Sequence, residues 1–306
     1  MRTPRTALAS IAALCLIGTT AATASASAKA HTAKARLGTV VVGDEGFTES
    51  AILQNIYGDL LGKLGYTVKY QTTTSRQQAI PALEKGTINV EPDYAGSLLL
   101  YLNANQTKAA GQLTSAIAAD NAALKAKKAV VLPGTAGLDQ NVFVVTKATS
   151  SRYGLKTLSQ LKSHAKSWTF GAPAECTQNY FCAPGLKAVY GIKFKTVKNY
   201  DESGPLTVAA LKSGAAEVVE LFSTDPIINQ DGFVSLKDDK NLEPADHLVA
   251  VVGSKFNTSA VDRALESVNA RLTTNELVTL DGQASSASKP SAATIAKNFL
   301  TAAKML

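Results

Sequence analysis

The sequence predicts an α/β protein of two lobes. From residue 39 on, short β-branched runs alternate with amphipathic, helix-like segments. The alternation pauses in a turn-rich passage after residue 147 and then restarts, building a second unit of about the same size. At 306 residues, 45% of them hydrophobic and 18% charged, the chain has the length for two domains and the composition of a folded protein with a real core.

The first unit opens with "TVVVG" at 39–43, a buried strand. "TESAILQNIYGDLLGKLG" at 48–65 is an amphipathic helix: Thr48 reads as its cap and Glu49 falls in its first turn. Ile52, Ile56, Leu60 and Leu64 share one face, and Gly65 ends it. "YTVKYQ" is a strand, "SRQQAIPALEKG" a helix and "TINVE" a third strand. This βαβαβ pattern implies a parallel sheet covered on both faces. "EPDY" reads as a turn that hands the strand over to an apolar, helix-like run after Tyr94. An Ala-rich helix over about 107–127 then leads to the strands "AVVL" and "NVFVVTK". In the second unit "TLSQLKSH", "GLKAVYG" and "PLTVAALKSG" are helices, and "WTFGA", "KFKTVK", "AEVVELF" and "FVSL" are strands. The tail, "HLVAVVG" followed by helices over 259–306, has too few strands for a domain and is expected to return to the first lobe. The expected division is therefore 37–142 with 246–306 for lobe one, and 143–245 for lobe two.

Residues 1–28 stand apart. Arg2 and Arg5 precede the apolar run "ALASIAALCLIG", and small residues follow with A-x-A sites ending at Ala26 and Ala28, the layout of a secretory signal peptide. Residues 29–36, "KAHTAKAR", read as a flexible lead-in. Cys15 raises the question of a lipid anchor, but Leu14 before it is not the small residue such cleavage requires. No later segment approaches 18 apolar residues, so an exported protein without a membrane span is expected. The net charge of +7 falls to about +5 without Arg2 and Arg5. Its basic residues are scattered, with "KAKK" at 125–128 a solvated helix end, which excludes a nucleic-acid partner. Two cysteines remain, Cys176 and Cys182 in "AECTQNYFCAPG". In an oxidising compartment they can close a small ring, the alternative being two separate buried thiols. Two sulfurs with no nearby His make a poor metal site.

The two halves share a piece. "ALEKGTINVEPDYAGS" and "ALKSGAAEVVELFSTD" both read A-L-x-x-G-x-x-x-V, and Tyr94 and Phe222 each stand eight residues after the shared Gly. Ser97 follows the first ring; Ser223 and Thr224 follow the second. A helix closed by Gly, a strand and an aromatic at its carboxyl end place a ring where open α/β sheets bind ligands. Phe47 in "GDEGFTES" is a third ring at a strand-to-helix junction, and Phe143 a fourth candidate beside a core alternative.

These segments, with "LDQNVFVVTK", "LKTLSQL", "GLKAVYGIKF" and "LKDDKNLEPADHLVAVV", run in an order that resembles the substrate-binding proteins of bacterial ABC importers for glycine betaine, choline and related osmoprotectants. The resemblance covers nearly all of the chain after the signal segment. It implies a type II periplasmic-binding-protein fold: two lobes, each a mostly parallel sheet flanked by helices, joined by a two-stranded hinge. It further implies a monomer that captures a quaternary amine and passes it to permease and ATPase subunits, with no cofactor. Aromatic faces suit such a cation, which carries diffuse charge and no N–H. By resemblance Tyr94 and Phe222 fall on cage positions and Ser97 on a polar contact. Phe47, Thr48, Asn141 and Phe143 lie in matching motifs, as do Ser223 and Thr224. Some members carry Tyr at the positions of Phe143 and Phe222 and Arg at that of Asn179. Without that Arg, Gln178 or backbone N–H groups would hold a ligand carboxylate, or the ligand has none.

Asp225-Pro226 reads as a helix start, Asp as cap and Pro in the first turn. Asp44, Glu45, Glu91 and Asp93 are possible countercharges, or solvated loop carboxylates. The sequence contains no G-x-S-x-G, H-E-x-x-H or P-loop, and His31, His164 and His247 have no metal-ligand spacing. A hydrolase would have to rest on Glu91 and Asp93. A binding protein for another solute, such as an amino acid, is the nearer alternative.

Overall fold

The computed structural model describes residues 37–103, 113–244 and 246–306. The expected signal segment and lead-in, and the start of the Ala-rich helix, lie outside the described residues. In chain order the strands are β1 (Thr39–Asp44), β2 (Thr67–Thr72), β3 (Val90–Tyr94), β4 (Ala129–Val131), β5 (Asn141–Val145), β6 (Thr169–Ala172), β7 (Thr196–Asn199), β8 (Val218–Phe222), β9 (Val234–Leu236) and β10 (Leu248–Gly253). They form two sheets, ordered β2-β1-β3-β10-β4 and β7-β6-β8-β5-β9.

Both sheets follow one plan. β1 pairs in parallel with β2 and β3, as β6 does with β7 and β8. The fourth strand, β10 or β5, enters from the other lobe and runs antiparallel to both neighbours. The two crossing segments meet as a short antiparallel pair at Leu138 and His247, flanked by bonds from Asp139 N–H to the Asp246 carbonyl (3.0 Å) and from Leu248 N–H to the Gly137 carbonyl (3.2 Å). This is the two-stranded hinge. The whole of β5 belongs to the second sheet, so the expected lobe boundary at 142/143 moves to before Asn141.

Each sheet buries both faces. On one face of the first, Val40, Val42, Val90 and Val252 pack with Ile52, Ile56 and Leu60 of the helix Thr48–Leu64. The tail helices Ser259–Asn269, Thr274–Ala284 and Ala292–Ala302 add Leu265, Leu277 and Ile295 to the same cluster. Ile80, Leu98 and Leu124 cover the other face. Phe143, Phe170 and Val218 centre the main core of lobe two.

Several local expectations change. Thr48 is the first helical residue, not the cap; Phe47 holds the cap position without a side-chain bond. The passage after "NVFVVT" contains a helix, Lys147–Tyr153, whose cap Thr146 accepts a bond from Thr149 N–H. "TLSQLKSH" contributes only the short helix Leu158–Leu161. Asp225 does not cap the segment that follows: its carboxylate turns back to Phe222 N–H (2.8 Å), and the short helix begins at Ile227.

The largest revision concerns "EPDY", which is not a turn. β3 runs through it to Tyr94, and all five of its residues are buried. Bonds from Gly253 N–H to the Asn89 carbonyl and from Ala95 N–H to the His247 carbonyl place Glu91, Asp93 and Ala95 in hydrogen-bonded register with β10. The Pro92 nitrogen therefore faces β1, whose pairing has already ended at Val42 and Val90, and the missing N–H costs no ladder bond. Glu91 is fully buried, neither carboxylate oxygen has a partner among the described residues, and Gly43 leaves it room: a Cβ there would come 1.6 Å from Oε2. Burial foremost, then the neighbouring Glu45 and Asp93, push its pKa well above the usual 4.5, so the folded chain keeps this proton where the unfolded chain has lost it. The associated stability is complete below pH 4.5 and is lost as pH rises toward the folded-state value. Replacing Glu91 by Gln should flatten the decline of urea-unfolding stability above that pH by up to ~1.4 kcal/mol per unit, the worth of one proton. An unchanged slope would mean that Glu91 is ionised in the fold.

Candidate ligand-binding cleft

Helix, glycine, strand and ring recur in both lobes as the sequence echo suggested. The helix Arg76–Lys85 closes on left-handed Gly86 (φ 75°) and β3 then ends at Tyr94. The helix Pro205–Ser213 closes on left-handed Gly214 (φ 73°) and β8 ends at Phe222. Because β3 and β8 are equivalent strands, each beside the strand that crosses between lobes, both rings arrive at the same place. A cavity of about 460 Å³ lies there, lined from both lobes and from the hinge. Phe47 stands between the other rings, 6.3 Å from Tyr94 and 5.5 Å from Phe222 by centroid.

An aspartate from each crossing segment holds the turn behind a ring. Asp246 accepts the Gly96 (2.9 Å) and Ser97 (3.0 Å) N–H groups and the Ser97 hydroxyl. Asp139 accepts the Ser223 hydroxyl (3.1 Å) and Thr224 N–H (3.2 Å), while Gln140 N–H donates to Ser223 Oγ (3.1 Å). Behind Tyr94, its phenol donates to the buried Glu49 carboxylate.

Of the ten sequence candidates, Phe47, Tyr94, Ser97, Asn141, Asn179 and Phe222 line the cavity. The other four do not. Thr48 is exposed on the first helical turn, and Ser223 and Thr224 serve the Asp139 clasp. Phe143 is 1% exposed and packs on Phe170 at 5.8 Å: it shares the face of Asn141 but stands two residues further along β5, where that face enters the lobe-two core. Cys176 and Cys182 are joined by a disulfide whose loop carries Gln178 and Asn179 to the cavity wall. With Glu220 they form the one cluster of possible metal ligands among the described residues, but the bonded sulfurs leave no thiolate to bind an ion. Asn179 Oδ1 is used by Phe181 N–H (2.9 Å), and Asn141 Nδ2 donates to the Phe181 carbonyl (3.3 Å).

Of the charged lining, sequence reading names only Glu45 as a countercharge. Glu45, Asp139, Glu175, Glu202, Glu220 and Asp246 face the cavity with a single cation, Arg76. Arg76 is committed: Nε (2.9 Å) and Nη2 (2.6 Å) donate to Asp93, and Glu45 lies 3.7 Å away. Asp93 is thus a buried ion-pair partner and not a solvated loop carboxylate, while Asp44 bonds Gly46 N–H and Thr72 and lies outside the lining. Alternation back from Phe222 would have found Glu220; no local signal marks Arg76. Burial raises Glu45 to about 8 against the pull of Arg76, and lifts Asp246 to about 6 despite its bonds to Ser97. Burial and then Glu175 raise Glu202 to about 7.

Two hinged lobes presenting strand ends and rings to one cavity define a solute-binding protein of the kind that closes on a small molecule. Residues 38–302 match the family described as the substrate binding domain of an ABC-type glycine betaine transport system, and the chain belongs to that family. The fold is similar to a crystal structure of a glycine betaine/carnitine/choline ABC transporter protein (TM-score 0.70, 22% identity, 89% of this chain and 99% of that one). It is also similar to an ABC-transporter choline binding protein in complex with choline (0.62, 16%, 87% and 89%). Lactococcal OpuAC, closed on glycine betaine, gives 0.59 and 15%, covering 87% and 96%. The ergothioneine transport permease/ergothioneine binding protein EgtU of Helicobacter pylori (strain G27) is 26% identical over 100 residues, 33% of this chain; the chain thus spans only 18% of that protein's length.

The lining sets a pH dependence. Glu45, Glu202 and Asp246 ionise between about pH 6 and 8, and a bound cation favours their charged forms. Calorimetric affinity for tetramethylammonium should therefore rise from about pH 5.5 to 8.5, on the order of tenfold for a cation one side chain away from them. A flat or falling profile would show that these groups do not ionise at the cavity.

Proposed function

We propose that this chain is the extracytoplasmic solute-binding protein of an ABC importer, capturing a quaternary ammonium compound among Phe47, Tyr94 and Phe222. The observation that carries the proposal is the convergence of these rings from two lobes on one cavity. Each good desolvated ring contact with such a cation contributes roughly 2 kcal/mol. Rings from both lobes complete the cage only on closure, so ligand favours the closed state. The acidic lining adds a field that draws cations in. The family match and the ligands of the similar binding proteins support the same ligand class and a membrane permease as the receiving partner. No helix among the described residues is long and apolar enough to cross a membrane. Together with the three-part layout of residues 1–28 this supports export, and a monomer working with permease and ATPase subunits completes the reading.

The amino-acid reading has one observation in its favour, a guanidinium and carboxylates on the same cavity, but Asp93 and Glu45 already occupy that guanidinium. Titration with glycine betaine, choline, carnitine and a panel of amino acids separates the two: saturable binding of amino acids alone would overturn the proposal. Tyr94→Ala and Phe222→Ala should each weaken quaternary-amine binding at least tenfold, the equivalent of about 1.4 kcal/mol. Tyr94→Phe, which keeps the ring and drops only the bond to Glu49, should stay within a few fold. Unaltered affinity in both alanine variants would remove these rings from the site. Amino-terminal sequencing of the secreted chain should begin at residue 27 or 29.

A further inference from the structure

Glu220 is a buried carboxyl that the fold does not use. It lies on β8 two residues before Phe222, on the same face of the strand, and lines the cavity with only 5% of its surface exposed. Its polar neighbour is Sγ of Cys182, 2.8 Å from Oε2. That sulfur is bonded to Cys176 and carries no hydrogen, so it donates nothing. Among the described residues Glu220 therefore has no hydrogen-bond donor, a state a buried carboxyl is expected to avoid unless something else fills the place. Glu175 and Glu202 stand on the same cavity and add to its negative charge. Arg76, the one cation there, is occupied by Asp93 and Glu45.

Building on the proposed aromatic cage, we infer that Glu220 determines specificity by accepting a hydrogen bond from the end of the ligand remote from its quaternary nitrogen. The favoured ligands then end in a hydroxyl or N–H and not in a carboxylate. The spacing suits a short-chain ligand, since the two residues lie roughly 6.8 Å apart along the strand. A hydroxyl or N–H can donate to Glu220 whether or not that carboxyl holds a proton. A ligand carboxylate can use Glu220 only while it is protonated, and it also meets six carboxyl groups against one already paired guanidinium.

Three probes separate this inference from the reading beneath it: tetramethylammonium for the cage alone, choline for a hydroxyl end and glycine betaine for a carboxylate end. In calorimetric titrations the unaltered protein should bind choline at least tenfold more tightly than glycine betaine. Glu220→Gln, similar in size and able to donate, should shrink that ratio at least tenfold while still binding tetramethylammonium. Glycine betaine binding as tightly as choline to the unaltered protein, or a ratio unmoved by Glu220→Gln, would overturn the role of Glu220 and leave the cage standing. Failure of the unaltered protein to bind tetramethylammonium would instead overturn the cage.

Discussion

The cleft depends on a pair of aspartate clasps at the hinge. Asp246, on the segment returning to lobe one, gathers the backbone just after Tyr94; Asp139, on the segment leaving for lobe two, gathers the backbone just after Phe222. Asp246 satisfies two N–H groups and Asp139 one that a strand ending in a buried place would otherwise leave without partners. The same bonds fix where each ring stands relative to the hinge, so the hinge carries the geometry of the binding wall as well as the connection between lobes.

Charge is distributed against ease of folding. The cavity gathers carboxyl groups whose burial holds their protons at pH values where a solvated acid would have released them, and Glu91 behind it has no hydrogen-bond partner among the described residues. Such groups weaken the fold as pH rises, because the ionised form is poorly tolerated in the interior. A cation entering the cavity reverses that relation for the groups it faces. The acids that strain the empty cleft are the ones that favour it filled.

Much of this was legible in the sequence, for identifiable reasons. The alternation of strands and helices and the glycine-closed helices are local patterns, and repetition of one pattern in two halves brought Tyr94 and Phe222 to a common site before any contact was known. "EPDY" misled because Pro92 is compatible with a strand only where the neighbouring ladder has stopped, which depends on β1 and not on the segment itself. Phe143 misled because a motif match does not say how far along β5 a residue stands from the cavity: it shares a face with Asn141 but lies deeper, in the lobe-two core. The engagement of Arg76 with Asp93 joins residues 17 apart, and that of Asp246 with Ser97 residues 149 apart. Contacts of that kind arise from how strands are ordered, which residue spacing along the chain does not encode.

Strand order also constrains how the molecule can be assembled. All five strands of the second sheet lie between residues 141 and 236, one uninterrupted stretch of chain. The first sheet is different, since β10 lies between β3 and β4 and begins only at Leu248. A nascent polypeptide emerging amino end first thus contains every strand of its later half before its earlier half can be zipped together. That delay keeps the leading portion open-ended until nearly the last fifth of the chain has been made.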